Sequence, residues 1–144
     1  MLRIYDAGNN VYCEVDGPWL HPVLWLFGED AGDVRAFLRD ERGASVFDTV
    51  VGSAALSCYR RLGVRRVFAE LSDRTAGDLA ASWDIALAAE RTVEAIDCAS
   101  EGDVERIAAE NGGLPDPDRV LEMLRRRAAA NPRDVRVQRF RTSA

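Results

Sequence analysis

An α/β fold with a mixed sheet covered by helices is the class this sequence predicts, and three observations predict it. Two short runs of β-branched and aromatic residues at the start, separated by turn residues, read as a β-hairpin. After them, strand-like and helix-like periods alternate along the chain, the pattern of sheets with helical connections. Finally, 144 residues with 47% hydrophobic and 30% charged side chains suit one globular domain with a real core.

The elements follow in order. Residues 2–6 and 11–15 flank Ala7-Gly8-Asn9-Asn10, whose Gly and Asn tolerate a tight turn, and predict the hairpin. Asp16-Gly17-Pro18 breaks it. Residues 19–27 predict a short buried helix, with Pro18 or Pro22 tolerated in its first turn. Residues 31–39 place Val34, Phe37 and Leu38 at i, i+3 and i+4, which predicts a second short helix or a continuation of the first. Residues 44–47 predict a strand, after which Asp48 or Thr49 is positioned to cap a helix running to about Leu62. Val51, Ala55, Cys58, Tyr59 and Leu62 share one face of that helix, and Gly63 ends it. Residues 66–71 make the clearest internal strand, followed by Ser72-Asp73-Arg74 and a helix over 75–82. Residues 85–89 and 92–96 are extended candidates. A helix over 100–111 stops at Gly112-Gly113, and Asp116 then caps another that starts with Pro117 and reaches about Ala130. Residues 135–140 add an edge strand or trail as an arginine-rich arm. The division this implies is an α/β core over 1–98 and a helical extension over 99–144 that packs on the same domain.

Charge and composition exclude several classes of function. The net charge is −5 and the pI about 4.9, without the basic footprint of a dedicated nucleic-acid binder. Residues 116–144 nonetheless carry a local charge of +4, leaving −9 on residues 1–115. All 19 basic residues are Arg, so Schiff-base chemistry and a phosphate-loop lysine are excluded. The apolar stretch over 19–27 is too short for a membrane span, and the acid at Asp6 does not suit a secretory signal. The expected location is cytoplasmic. Cys13, Cys58 and Cys98 are far apart, which suits reduced thiols rather than a disulfide framework or paired zinc ligands. A single histidine, His21, excludes two-histidine metal motifs and leaves general-base work to carboxylates or a thiolate. No metal site and no cofactor are expected.

Ligands in open α/β sheets sit where strands end and helices begin, because freed amides and the helix dipole converge there. Two junctions fit. At the first, Asp48, Thr49, Gly52 and Ser53 lie together, Gly52 allowing close approach. At the second, Ser72, Asp73 and Arg74 offer a hydroxyl, a carboxylate and a guanidinium within one turn. These seven residues are the candidate ligand-binding set, with the Gly52 and Ser53 amides and Arg74 facing an anion and Asp48 or Asp73 orienting a hydroxyl or amino group. The plainer alternative is that Asp48, Ser72 and Asp73 cap helices and Gly52 serves packing.

The stretch from Gly43 through Ala55, together with Leu62-Gly63-Val64 and Val67-Phe68-Ala69-Glu70-Leu71-Ser72, resembles domain-of-unknown-function family 1893. That family's pattern is an Asp-Lys-Val-Val-Gly-x-Ala-Ala helix start, a Gly-Val before the next strand and a Ser after it; Thr49 stands here in place of the Lys. The resemblance covers about residues 2–96. It implies a three-layer α/β/α domain with a mixed sheet and cytidine-deaminase-like topology, to which residues 99–144 add the helical extension. True zinc deaminases place His-x-Glu or Cys-x-Glu at the first junction and Pro-Cys-x-x-Cys at the second. Here those places read Val50-Val51-Gly52 and Ser72-Asp73-Arg74, so zinc-dependent deamination is not expected.

The function expected is therefore non-catalytic binding of a small polar or anionic ligand, a class that includes nucleotide-like molecules. Two alternatives stay open: a metal-independent enzyme using Asp48, Asp73 or Cys98, and an interaction module. In the latter the Arg-rich segment (Arg125, Arg126, Arg127, Arg133, Arg136, Arg139, Arg141) and the Trp19 region meet a partner or a second copy, giving a homo-oligomer through the C-terminal segment. No catalytic residue is assigned.

Overall fold

The computed structural model describes residues 1–140. Strands β1 (Leu2–Tyr5) and β2 (Val11–Asp16) form the predicted hairpin. Its turn is closed by Asp6, whose carboxylate accepts from the amides of Gly8 and Asn10, each at 2.9 Å. The register shifts between Ile4 and Tyr5, opposite Cys13 and Val11, so Tyr12 is the extra residue of a bulge. Its ring stacks on Phe37 at 3.8 Å between centroids.

Helices α1 (His21–Trp25) and α2 (Gly32–Asp40) follow, Pro22 lying in the first turn of α1, where no amide is needed. Then come β3 (Ser45–Val51), α3 (Ser53–Arg61), β4 (Arg66–Asp73), α4 (Arg74–Ser82) and β5 (Ala86–Val93). Gly63, with φ of +79°, turns the chain out of α3 in a conformation that costs other residues strain. The chain finishes with α5 (Ala99–Glu110), α6 (Pro117–Ala130) and β6 (Arg136–Arg139). Asp116 caps α6 through the amide of Asp118 at 3.0 Å, with Pro117 at the first helical position as predicted. None of the helices among the described residues is long and apolar enough to cross a membrane.

Among the described residues, the six strands form one mixed sheet in the order β5-β4-β3-β1-β2-β6. The pairs β3·β4 and β4·β5 are parallel; β1·β3, β1·β2 and β2·β6 are antiparallel. This is the α/β class with a mixed sheet that the sequence predicts. Leu2, Ile4, Cys13, Val15, Val46 and Val67 alternate onto one face, where all are fully buried. Helix α3 is the centre of the helical packing there, touching α1, α4, α5 and α6, with Leu56, Cys58 and Tyr59 wholly enclosed.

Two boundaries differ from the sequence reading. Asp48 and Thr49 do not cap a helix: both lie inside β3, which runs to Val51. The β-branched run Thr49-Val50-Val51 favours an extended chain, and this strand is bonded on both sides, Asp48 opposite Leu2 of β1 and Ala69 of β4. Helix formation is deferred to Ser53. The two extended candidates over 85–89 and 92–96 are one strand, β5, in parallel register with β4 from Ala86 to Val93. The C-terminal segment forms the edge strand rather than a free arm, pairing with β2 from Arg136 to Arg139. Arg127, Arg136 and Arg139 are used within the chain. Arg139 donates to Asp33 at 2.8 Å and lies over the Trp25 ring, Arg136 pairs with Asp16 at 3.2 Å, and Arg127 donates to buried Asp103 at 2.7 Å. Arg141 lies outside the described residues.

Candidate functional site

The end of β3 opens on a cavity of about 260 Å³. Asp48, Thr49 and Val50 supply its floor, Gly52 the turn into α3, and Cys98, Ser100 and Glu101 the start of α5. Trp19, Leu20 and Ile96 give it an apolar side. Trp19 is held with φ of +51° and is 41% exposed, its ring edge-on to buried His21.

Asp48 faces the helical side of the sheet because it alternates in step with Val46, and that side is dry. Its Oδ2 accepts the Tyr59 hydroxyl at 2.6 Å, from a ring wholly enclosed under α3. Burial pushes the Asp48 carboxyl up to about 6, against the Tyr59 hydrogen bond, which favours the charged form. Tyr59 itself is raised well above its ordinary value, first by burial and then by the carboxylate beside it. The next residue, Thr49, donates from Oγ1 to the carbonyl of Met1 at 3.3 Å.

The first turn of α3 leaves amides without helical partners, and a remote carboxylate takes them. Glu101 of α5 accepts from the Ser53 amide at 2.9 Å, from the Ala54 amide at 3.4 Å, and from the Ser53 hydroxyl. Gly52 makes this possible: a Cβ there would stand 2.5 Å from Glu101 Oε1. Burial raises the Glu101 carboxyl, and the Ser53 hydroxyl is the largest of the contacts that oppose the shift. The place reserved for an anion at the α3 start is thus filled by the chain's own side chain.

The second junction is built differently. Asp73 caps α4 locally, accepting from the Ala76 amide at 2.8 Å, and reaches the Ile96 amide at 3.4 Å with its other oxygen. Ser72 donates to the Val51 carbonyl at 2.8 Å, tying the ends of β3 and β4 together. Arg74 points to solvent, its side chain 72% exposed, and pairs with Glu94 at 3.7 Å.

Of the seven residues predicted, the cavity therefore brings together Asp48, Thr49 and Gly52. Ser53 lies beneath Glu101 and lines a neighbouring depression with Thr75 and Leu79. Ser72, Asp73 and Arg74 do not line the cavity. The sequence does not mark Glu101: an acid in the first turn of a helix reads as a partner of its own helix dipole, whereas here it serves another helix. Cys98, which the sequence offers to a metal-independent enzyme, lines the cavity with its Sγ 3.1 Å from Ser100 Oγ. Among the described residues, no three His, Cys, Asp or Glu side chains gather closely enough to hold a metal ion.

No protein-family model matches this chain, and no curated protein matches it. Among solved structures, it is similar to the crystal structure of a DUF1893 family protein from Thermotoga maritima, with a TM-score of 0.61. The match covers 88% of this chain and 79% of that one at 17% sequence identity, so the likeness is one of fold. The family of that protein is the one the Gly43 to Ala55 stretch resembles.

Proposed function

We propose that this chain binds a small polar molecule in the cavity at the end of β3, without performing chemistry on it, and that the ligand presents N–H or O–H donors to Asp48 and Glu101. The observation that carries this reading is the pairing of buried Asp48 and half-buried Glu101, both carboxyls with raised pKa values, on one side of the cavity with an apolar wall of Trp19, Leu20 and Ile96 on the other. A few convergent polar groups in a mostly apolar recess is the usual composition of a small-molecule site. Carboxyls of raised pKa favour neutral donors or cations over anions. A volume of about 260 Å³ falls just below the roughly 300–1,000 Å³ of drug-sized sites, which suits a nucleobase or an amino acid better than a whole nucleotide. A phosphate at the α3 start would first have to displace Glu101 from three donors.

A second reading, metal-independent catalysis, has one specific support. Asp48 at about 6 is poised to exchange a proton near neutral pH, and Cys98 lines the same cavity.

The test is a thermal-shift screen at neutral pH against nucleobases, nucleosides, amino acids, small amines and sugar phosphates. A ligand that binds only the folded state raises the melting temperature by linkage, worth about 2.7 kcal/mol at a hundred times its Kd. The expected result is a shift with a donor-bearing compound that disappears in Asp48→Asn and survives in Arg74→Ala. Shifts confined to phosphate compounds and lost in Arg74→Ala would overturn this reading, as would the absence of any shift. Conversion of a stabilising compound by the wild-type chain, lost in Asp48→Asn, would decide for the enzyme.

A further inference from the structure

The sheet has a second face, and its two halves differ. Alternation places Arg3, Phe47, Phe68 and Ala88 on the face opposite the buried core, and the strand registers align them in one row across β1, β3, β4 and β5. On the antiparallel half the row continues as Glu14, whose carboxylate accepts from Arg3 at 2.7 Å. Such a polar face is normal for antiparallel strands meeting water. On the parallel half the row is Phe47, Phe68 and Ala88, with Phe68 47% exposed and Phe47 half-buried. Parallel strands are ordinarily covered on both faces, so this half lacks its cover.

The charges around the row indicate what covers it. Two residues before Phe68 stands Arg66, and two residues after it Glu70, both exposed on the same face and neither in an ion pair among the described residues. A two-fold axis running along the row through Phe68 reverses the strand direction. It lays Phe68 on its own copy, Arg66 over the partner's Glu70 and Glu70 over the partner's Arg66. The patch is complementary to itself, which is the requirement of a two-fold interface. Three strands about 4.8 Å apart set Phe47, Phe68 and Ala88 side by side over about 10 Å, an apolar centre with the Arg66 and Glu70 charges as its rim. In the arginine-rich C-terminal segment, by contrast, Arg136, Arg139 and Arg127 are already paired with the chain's own Asp16, Asp33 and Asp103.

We propose that the exposed face of β3, β4 and β5 docks a second copy of this chain, face to face, with Phe68 at the two-fold axis and reciprocal Arg66 and Glu70 pairs flanking it. Sedimentation equilibrium of the full chain tests this. The wild type associates to a dimer as concentration rises. Phe68→Glu raises the dimer dissociation constant by about tenfold or more, the scale of losing a central anchor. Its circular dichroism is unchanged, because the side chain is half exposed. Arg66→Glu alone weakens the dimer, and the double variant Arg66→Glu with Glu70→Arg restores it. A wild type that stays monomeric at every concentration would overturn the proposal. So would a dimer indifferent to Phe68→Glu, or a charge reversal that the double variant fails to rescue.

Discussion

The two strand-to-helix junctions of this sheet solve the same problem in different ways. At the start of α4 the free amides are met from next door: Asp73, the residue before the helix, accepts from Ala76. At the start of α3 the residue before the helix is Gly52, which has no side chain to offer, and the amides are met by Glu101, 48 positions from Ser53. The local solution leaves a finished surface, with Arg74 and Glu94 in solvent. The remote solution draws a second helix over the first, encloses a carboxyl at the contact, and leaves a cavity between α5 and the end of β3. A glycine cap thus exchanges a local bond for a built recess, and the recess is where buried Asp48 and half-buried Glu101 lie.

The largest effect expected at these junctions is a pH dependence from Asp48. Its folded pKa, about 6, lies above the ordinary 3.8, so the folded state holds the proton more tightly. The stability this contributes is complete below about pH 4 and is lost as pH rises through about 6. Roughly two units amount to a loss on the order of 3 kcal/mol across that window. Asp48→Asn keeps an acceptor for Tyr59 and removes the titration. Denaturant unfolding at successive pH values should therefore show the variant gaining on the wild type between pH 4 and 7; parallel curves would break the contrast.

Next comes Glu101→Ala, which strips three donors at the α3 start of their acceptor. About 2 kcal/mol of stability should go, from unmet amides and lost packing. Asp73→Ala removes a local cap at the other junction and should cost about 1 kcal/mol. If chemical denaturation found Asp73→Ala the more damaging, the remote carboxylate would be a surface accident rather than the fastening of α5 to α3. Arg74→Ala is expected within about 0.5 kcal/mol of the wild type, as for exposed ion pairs generally. A thermal melt suffices to check it.

The same contrast explains what the sequence could reveal. The hairpin, α4 and α6 are legible because their signals are local: turn residues between β-branched runs, Asp73 before α4, and Asp116 followed by Pro117. The end of β3 is not, since Asp48 and Thr49 are good cap residues and only the presence of β1 on one side and β4 on the other keeps them extended. The strand-to-helix position alone points to Asp48, Thr49 and Gly52, which do line one cavity. Glu101 carries no local mark that distinguishes it from an acid serving its own helix, and its role depends on how α5 crosses α3. Ser72 and Arg74 share the second junction with a cap that already completes it.

Carbon-detected NMR titration of the side-chain carboxyls of Asp48 and Glu101 tests the central claim most directly, since that claim is a pair of acids withdrawn from solvent beside one cavity. The midpoints predicted are near 6 for Asp48 and above the ordinary glutamate value for Glu101. Midpoints at or below the ordinary carboxylate range for both would mean solvated side chains and no enclosed site, contradicting the account.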